Sequence, residues 1–144
     1  MKTVIFLCSW NHARSRLAEL LFNDLAHLSK LQWQAISRGF MQASPVDGPI
    51  HPAVIELLEA RRIPVLKPGR RPMLALANEV MFADLVVCLG SREEHEQDLA
   101  RLIHPHYRTS KTAEFWGFAN DPGVLPAVAV SVEQLVERLK GDTA

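Results

Sequence analysis

Two short apolar segments, residues 4–8 and 83–89, each run directly into a helical pattern. This pairing constrains the fold more than any other feature of the chain. Residues 4–8 (VIFLC) are apolar, rich in β-branched side chains and bounded by polar residues, so they read as a buried strand. A helix is expected over 16–28, where Leu17, Leu20, Leu21, Leu25 and Leu28 share one face. Residues 33–37 form a second strand closed by Gly39, and a loop punctuated by Pro45, Gly48, Pro49 and Pro52 follows. Residues 53–62 carry a helical pattern through Val54, Leu57 and Leu58, and 75–81 a short one. Residues 83–89 (ADLVVCL) are the next buried strand. A helix over 91–103 takes Ser91 as N-cap and sets Glu93, Glu94 and Glu96 at its positive end. Residues 112–116 are expected to form a short fourth strand and 117–126 a loop. Residues 131–140 close the pattern as a helix, with a capping box of Ser131 and Gln134 and a stop at Gly141.

Strands that alternate with helices predict an α/β fold: a parallel sheet, helices on both faces, right-handed crossovers. A chain of 144 residues suits one domain. Its formal net charge of zero argues against a nucleic-acid partner or a membrane surface held by bulk electrostatics. No apolar run approaches the ~20 residues that span a bilayer, and residues 1–7 are too short for a secretory leader. Two cysteines, Cys8 and Cys88, make no disulfide framework. A cytoplasmic protein with both thiols reduced is the expectation.

In folds of this kind the ligand sits at the carboxyl ends of the strands. Cys8 ends the first strand, Arg14 and Ser15 follow a short loop, and a helix begins beyond them. Unpaired N–H groups of such a loop and of the first helical turn make an anion site, and the macrodipole strengthens it. A cysteine there is favoured as thiolate. Arg14 adds a planar fork suited to two oxygens of a tetrahedral oxyanion. The Ser15 hydroxyl either caps the helix or hydrogen-bonds the thiolate. A nucleophile beneath a cradled phosphate is a constellation for phosphoryl transfer.

The segment CSWNHARS resembles the phosphate-binding loop, Cys-x5-Arg-Ser, of the low-molecular-weight protein tyrosine phosphatases, whose fold includes the thioredoxin-coupled arsenate reductases. The likeness continues through AELLF, ISRG, GPIHPAVIELLEARRIPV, ADLVVCLGSREEHEQDL and FWGFANDPG, nearly the whole chain. It implies a single domain over 1–144, a three-layer sandwich, and a four-stranded parallel sheet in the order 2-1-3-4. It also implies a phosphomonoester hydrolase, most specifically a protein tyrosine phosphatase working through a phosphocysteine. Cys8, Arg14 and Asp121 would be catalytic. Ser9, Trp10, Asn11, His12, Ala13, Arg14 and Ser15 would bind phosphate, and Ser37 would support the loop. Substrates would be a phosphorylated protein or a small phosphate ester, with neither cofactor nor metal. Asp121-Pro122 stands where the family carries its general acid; turn chemistry alone also favours Asn-Asp-Pro-Gly.

Several positions depart from the family. Trp10 lies where glycine is usual, narrowing the pocket mouth or walling it. Ala13 replaces the second loop cysteine. No tyrosine follows Asp121-Pro122, and Gly123-Val124 resembles the arsenate reductases. Gly90 stands where many phosphatases have a loop-supporting aspartate. An arsenate reductase of the same fold is the first alternative, in which Cys88 would lie near Cys8 as a relay thiol; its position inside the third strand favours a core residue instead. An oxyanion-binding protein without turnover is the second. His12 is expected to face solvent, and Trp116 and Phe118 either wall the pocket or join the core. His104-Pro105-His106 is a weak metal motif for lack of further ligands. Arg61, Arg62, Lys67, Arg70 and Arg71 read as a solvated basic run or as a lure for phosphorylated partners.

Overall fold

The computed structural model describes residues 1–42, 48–103 and 113–142. The elements in chain order are β1 (Lys2–Cys8), α1 (Arg14–Leu28), β2 (Trp33–Gly39), α2 (Pro52–Ala60), α3 (Ala77–Phe82), β3 (Leu85–Cys88), α4 (Arg92–Leu102), β4 (Glu114–Phe115), a 3-10 turn (Pro122–Val124) and α5 (Leu125–Asp142). The sheet is parallel, in the order β2-β1-β3-β4. Both the fold class and the strand order are those expected.

The period-2 alternation of β1 divides the core. Val4, Phe6 and Cys8 face the layer of α1, α2 and α5. Ile5 and Leu7 face the layer of α3 and α4 with Val86 and Cys88. Phe6 is fully buried and meets Phe22 and Trp116 edge-on, each at 5.9 Å between ring centroids. The sheet thus holds β1 rigidly from both sides and delivers Cys8 at its carboxyl end.

Several expected boundaries and faces differ. On α1 the fully buried stripe runs through Leu17, Ala18, Leu21 and Phe22, whereas Leu28 is 72% exposed. The helix is wedged between β2 and α5, so small Ala18 and Phe22 turn inward instead of Leu28. α5 starts at Leu125, so Ser131 is interior and caps nothing. Pro126 is tolerated in the first turn, and Leu125, Val128 and Ala129 extend the buried stripe backward. Gly141 does not stop the helix, which runs to Asp142. α2 starts one residue early because His51 caps it, its Nδ1 accepting from Ala53 N–H at 3.0 Å. β2 continues to Gly39. α3 and β3 begin two residues later than expected, and α4 is capped by Ser91 as read. Residue 112 and the His104–His106 motif lie outside the described residues.

Candidate active site

The loop between β1 and α1 is tied down through its carbonyls. Phe40 N–H donates to Cys8 O (3.0 Å), Met41 N–H to Ser9 O (2.8 Å), His51 N–H to His12 O (2.9 Å) and Leu17 N–H to Ala13 O (2.9 Å). Among the described residues, the N–H groups of Ser9, Trp10, Asn11, Ala13, Arg14 and Ser15 have no acceptor. A run of N–H groups left over while the carbonyls are satisfied is an anion cradle. Asn11 takes φ 53°, a conformation asparagine tolerates better than most residues, and so turns the loop back on itself. Gly39 lets β2 approach the loop: a Cβ there would stand 3.0 Å from Asn11 N, Ser9 O and Trp10 C.

Below the cradle lies a polar network. Ser15 does not cap the helix; Ala13 stands at the N-cap without a side-chain bond. Instead the Ser15 hydroxyl sits 2.9 Å from Cys8 Sγ, both fully or nearly fully buried. Asn11 Nδ2 donates to Ser15 Oγ and Ser37 Oγ, each at 2.9 Å, and Ser37 Oγ donates to Glu19 Oε1 at 2.6 Å. Arg70, read above as solvated, reaches in from the segment after α2. It donates to Asn11 Oδ1 (3.1 Å), Ser37 Oγ (3.0 Å) and Glu19 Oε1 (3.0 Å). Ser37 lies in this network, bonded to the loop through Asn11.

Arg14 is 3% exposed and is gripped on one edge. Nη1 donates to Phe118 O (2.7 Å) and Glu94 Oε2 (3.1 Å), and Nη2 donates to Glu94 Oε1 (2.8 Å). A guanidinium has five N–H donors. The two that remain, on Nε and Nη2, lie along one edge in the fork that suits two oxygens of a phosphate. Glu94 also accepts from Ser9 Oγ at 3.0 Å. Burial alone would raise the Glu94 carboxyl. The hydrogen bond and charge of Arg14, with smaller help from His95 and Ser9, outweigh it and hold Glu94 below the usual carboxylate range.

Cys8, Trp10, His12, Ala13 and Arg14 share a cavity of about 290 Å³ with His51, Asn120, Asp121 and Pro122. Asp121 therefore faces the same space as Cys8, although the two are far apart in sequence. Its Oδ1 accepts from Gly123 N–H at 2.9 Å, the bond of the Asn-Asp-Pro-Gly turn. Trp10 is 38% exposed and forms a wall. His12 does not simply face solvent; it is half-buried, its ring edge-on to His51 at 5.5 Å. Trp116 packs against the core, and Phe118 contributes both a packed ring and the carbonyl that Arg14 grips.

Cys88 lies apart from this space. It pairs in register with Leu7, and its side chain packs with Ile5 and Leu7 on the face of the sheet opposite Cys8. Burial, then the neighbouring Cys8, pushes its thiol up to about 12. Cys88 is thus a core strand residue, the reading favoured over a relay thiol, because the alternation of side chains along β3 turns it away from Cys8. Among the described residues no group of three or more His, Cys, Asp and Glu side chains could hold a metal ion, and no helix is long and apolar enough to cross a membrane.

The family model described as low molecular weight phosphotyrosine protein phosphatase matches residues 3–121. The chain belongs to this family. Solved structures similar to it include YfkJ from Bacillus subtilis, with 19% identity, coverage of 100% of this chain and 98% of that one, and a TM-score of 0.79. A low molecular weight protein tyrosine phosphatase from T. tengcongensis is 20% identical, with 99% of both chains covered and a TM-score of 0.72. An arsenate reductase from Archaeoglobus fulgidus is 27% identical, with 96% of this chain and 98% of that chain covered and a TM-score of 0.63. No curated protein sequence matches the chain. The chain anchors Arg14 through Glu94, a role that sequence reasoning missed. Glu94 reads locally as a helix-end charge; the signal was the combination of Gly90, with no carboxylate, and a glutamate one turn later.

Proposed function

We propose that the protein is a phosphomonoester hydrolase, and within that class a protein tyrosine phosphatase acting through a phosphocysteine. The observation that carries this reading is the convergence of Cys8 Sγ, the open edge of Arg14, the unpaired loop N–H groups and Asp121 on one cavity. The Cys8 thiolate attacks phosphorus in line, forming the S–P bond as the P–O bond to the leaving group breaks. The guanidinium of Arg14 and the loop N–H groups of Ser9, Trp10, Asn11, Ala13, Arg14 and Ser15 hold the equatorial oxygens, over which charge is spread in the transition state. Ser15 Oγ, 2.9 Å from Sγ, donates to the thiolate. Asp121 protonates the leaving oxygen, a contribution of about 10²–10⁴ in rate. As carboxylate it then takes a proton from the water that hydrolyses the S–P bond, and inorganic phosphate leaves.

The walls suit an aryl ester. Trp10 is partly exposed and lines the pocket, so a phosphotyrosine side chain of a protein, or a small aryl phosphate, packs against its ring. Arsenate reduction is the second reading, favoured by the 27% identity to the Archaeoglobus enzyme. It needs a thiol able to reach Cys8, and the other cysteine of the chain lies across the sheet.

A paired assay separates the two. One arm follows hydrolysis of p-nitrophenyl phosphate; the other follows arsenate reduction with thioredoxin or glutathione systems. Hydrolysis abolished by Cys8→Ser and untouched by Cys88→Ser supports the proposal. Arsenate reduction that depends on Cys88 overturns it, as does anion binding with no turnover.

A further inference from the structure

A second cavity, of about 500 Å³, lies between α1, β2 and the segment after α2, and shares no lining residue with the phosphate pocket. Its apolar surface comes from Leu20, Ile36, Leu66 and Met73. Leu66 and Met73 are 64% and 41% exposed, so ring-sized apolar area is left facing the opening.

Its charge is unbalanced. Arg70 and Arg16 share one carboxylate, Glu19, at 3.0 and 3.9 Å. Arg16 is 1% exposed, and its buried Nε has no hydrogen-bond partner among the described residues. Burial, then the repulsion of Arg70, pushes its guanidinium down to about 10. Arg38 is matched by Glu79 at 2.8 Å. Lys67 is exposed, makes no ion pair among the described residues, and is held at φ 51° by the turn that Arg70 N–H closes on its carbonyl at 3.0 Å. Arg16, Lys67 and Arg70 therefore outnumber Glu19 and Asp24, the carboxylates that line the cavity. In a chain of zero net charge, this is a local surplus of positive charge beside apolar surface.

We propose that this cleft is a second ligand site for a small organic anion, its apolar body on Leu20, Ile36, Leu66 and Met73 and its charged group on Lys67 and Arg70. The four Nη donors of Arg70 are spent on Asn11, Arg71 O, Glu19 and Ser37, which leaves Nε–H for the ligand. The same Arg70 holds Asn11 and Ser37, and through Ser15 the network ends at Cys8. A ligand that fixes Arg70 fixes the phosphate loop, so cleft ligand and active-site oxyanion tighten each other.

Anilinonaphthalene sulfonate, an apolar body with one anionic group, is a suitable probe, titrated by fluorescence on the full chain with tungstate saturating the phosphate pocket. Saturable binding is expected to persist under tungstate. Lys67→Glu and Leu66→Asp, both at exposed positions, are expected to weaken it about tenfold or more, the scale of one charge-assisted contact, without changing probe-free hydrolysis of p-nitrophenyl phosphate. Displacement by tungstate, absence of saturable binding, or equal affinity in both variants overturns the site. Saturating probe is expected to tighten tungstate; unchanged or weakened tungstate affinity overturns the coupling. None of these readouts depends on turnover by Cys8, so the result stands apart from the fate of the proposed hydrolase activity.

Discussion

Glu94 fills the space that a side chain at Gly90 would occupy: a Cβ at Gly90 would overlap Glu94 Oε2 and stand 2.5 Å from His95 Nε2. The carboxylate that grips Arg14 thus comes from the first turn of α4, and the glycine makes room for it. Glu94→Ala frees the guanidinium to swing, and kcat/KM for p-nitrophenyl phosphate is expected to drop on the order of 10²-fold. Glu94→Gln keeps one acceptor and loses less. Gly90→Asp alone is expected to damage activity by crowding Glu94, whereas Gly90→Asp combined with Glu94→Ala recovers part of the loss. A double variant no better than the worse single one would contradict this account of the pair.

Gly39 makes a different kind of room. Its Cβ would press on three backbone atoms of the phosphate loop at 3.0 Å, and backbone gives way less readily than a side-chain tip. Gly39→Ala is expected to cost about 1–3 kcal/mol in urea unfolding and to lower kcat as the loop shifts. Unchanged stability with full activity would show the contact to be slack.

Arg70 tests whether the network under the loop matters for turnover. Arg70→Ala leaves Asn11 Oδ1, Ser37 Oγ and Glu19 with fewer partners in a largely buried setting, at about 1–3 kcal/mol. The expected signature is a fall in kcat with little change in KM, since Asn11 shapes the cradle without contacting the leaving group. Arg70→Met preserving kcat would make the network purely structural.

The strand and helix pattern and the loop from Cys8 to Ser15 are legible in the sequence because they rest on local periodicity and on a contiguous motif, whereas the sheet order comes only from the family resemblance. What was hidden rests on contacts distant in sequence. Glu94 meets Arg14 across 80 positions, and Arg70 meets Asn11 across 59. Local chemistry offered both residues an adequate alternative, a helix-end charge and a solvated basic turn. Ser15 illustrates a competition within one residue: its hydroxyl forgoes the cap because Cys8 and Asn11 lie closer once β1 and α1 are packed. Cys88 is the core strand residue that the sequence favours, and side-chain parity along β3 turns it to the face opposite Cys8.

His95 makes stability sensitive to pH. It is fully buried against Phe40, neither ring nitrogen has a hydrogen-bond partner among the described residues, and burial holds its pKa below 6.5. The unfolded chain therefore takes up this proton first as pH falls. The stability associated with neutral His95 is complete above 6.5 and is lost as pH drops below it toward the folded value. The slope reaches about 1.4 kcal/mol per pH unit for one proton. Glu94, also held low, loses its contribution only below 4.5, a separate window. Urea midpoints followed downward from neutral pH are expected to fall in the wild type and to stay flatter in His95→Leu. Parallel curves for the two proteins would remove His95 from the explanation.

The central claim is that Cys8 forms a covalent bond to phosphorus. Its most direct measurement is mass spectrometry of Asp121→Asn protein quenched in acid during turnover of p-nitrophenyl phosphate, a variant in which breakdown of the intermediate is slowed by loss of the base. One phosphoryl group on the peptide that contains Cys8, absent from the same experiment with Cys8→Ser, is the predicted result. Hydrolysis that continues at wild-type rate in Cys8→Ser, with no adduct on Cys8 in either protein, would contradict it.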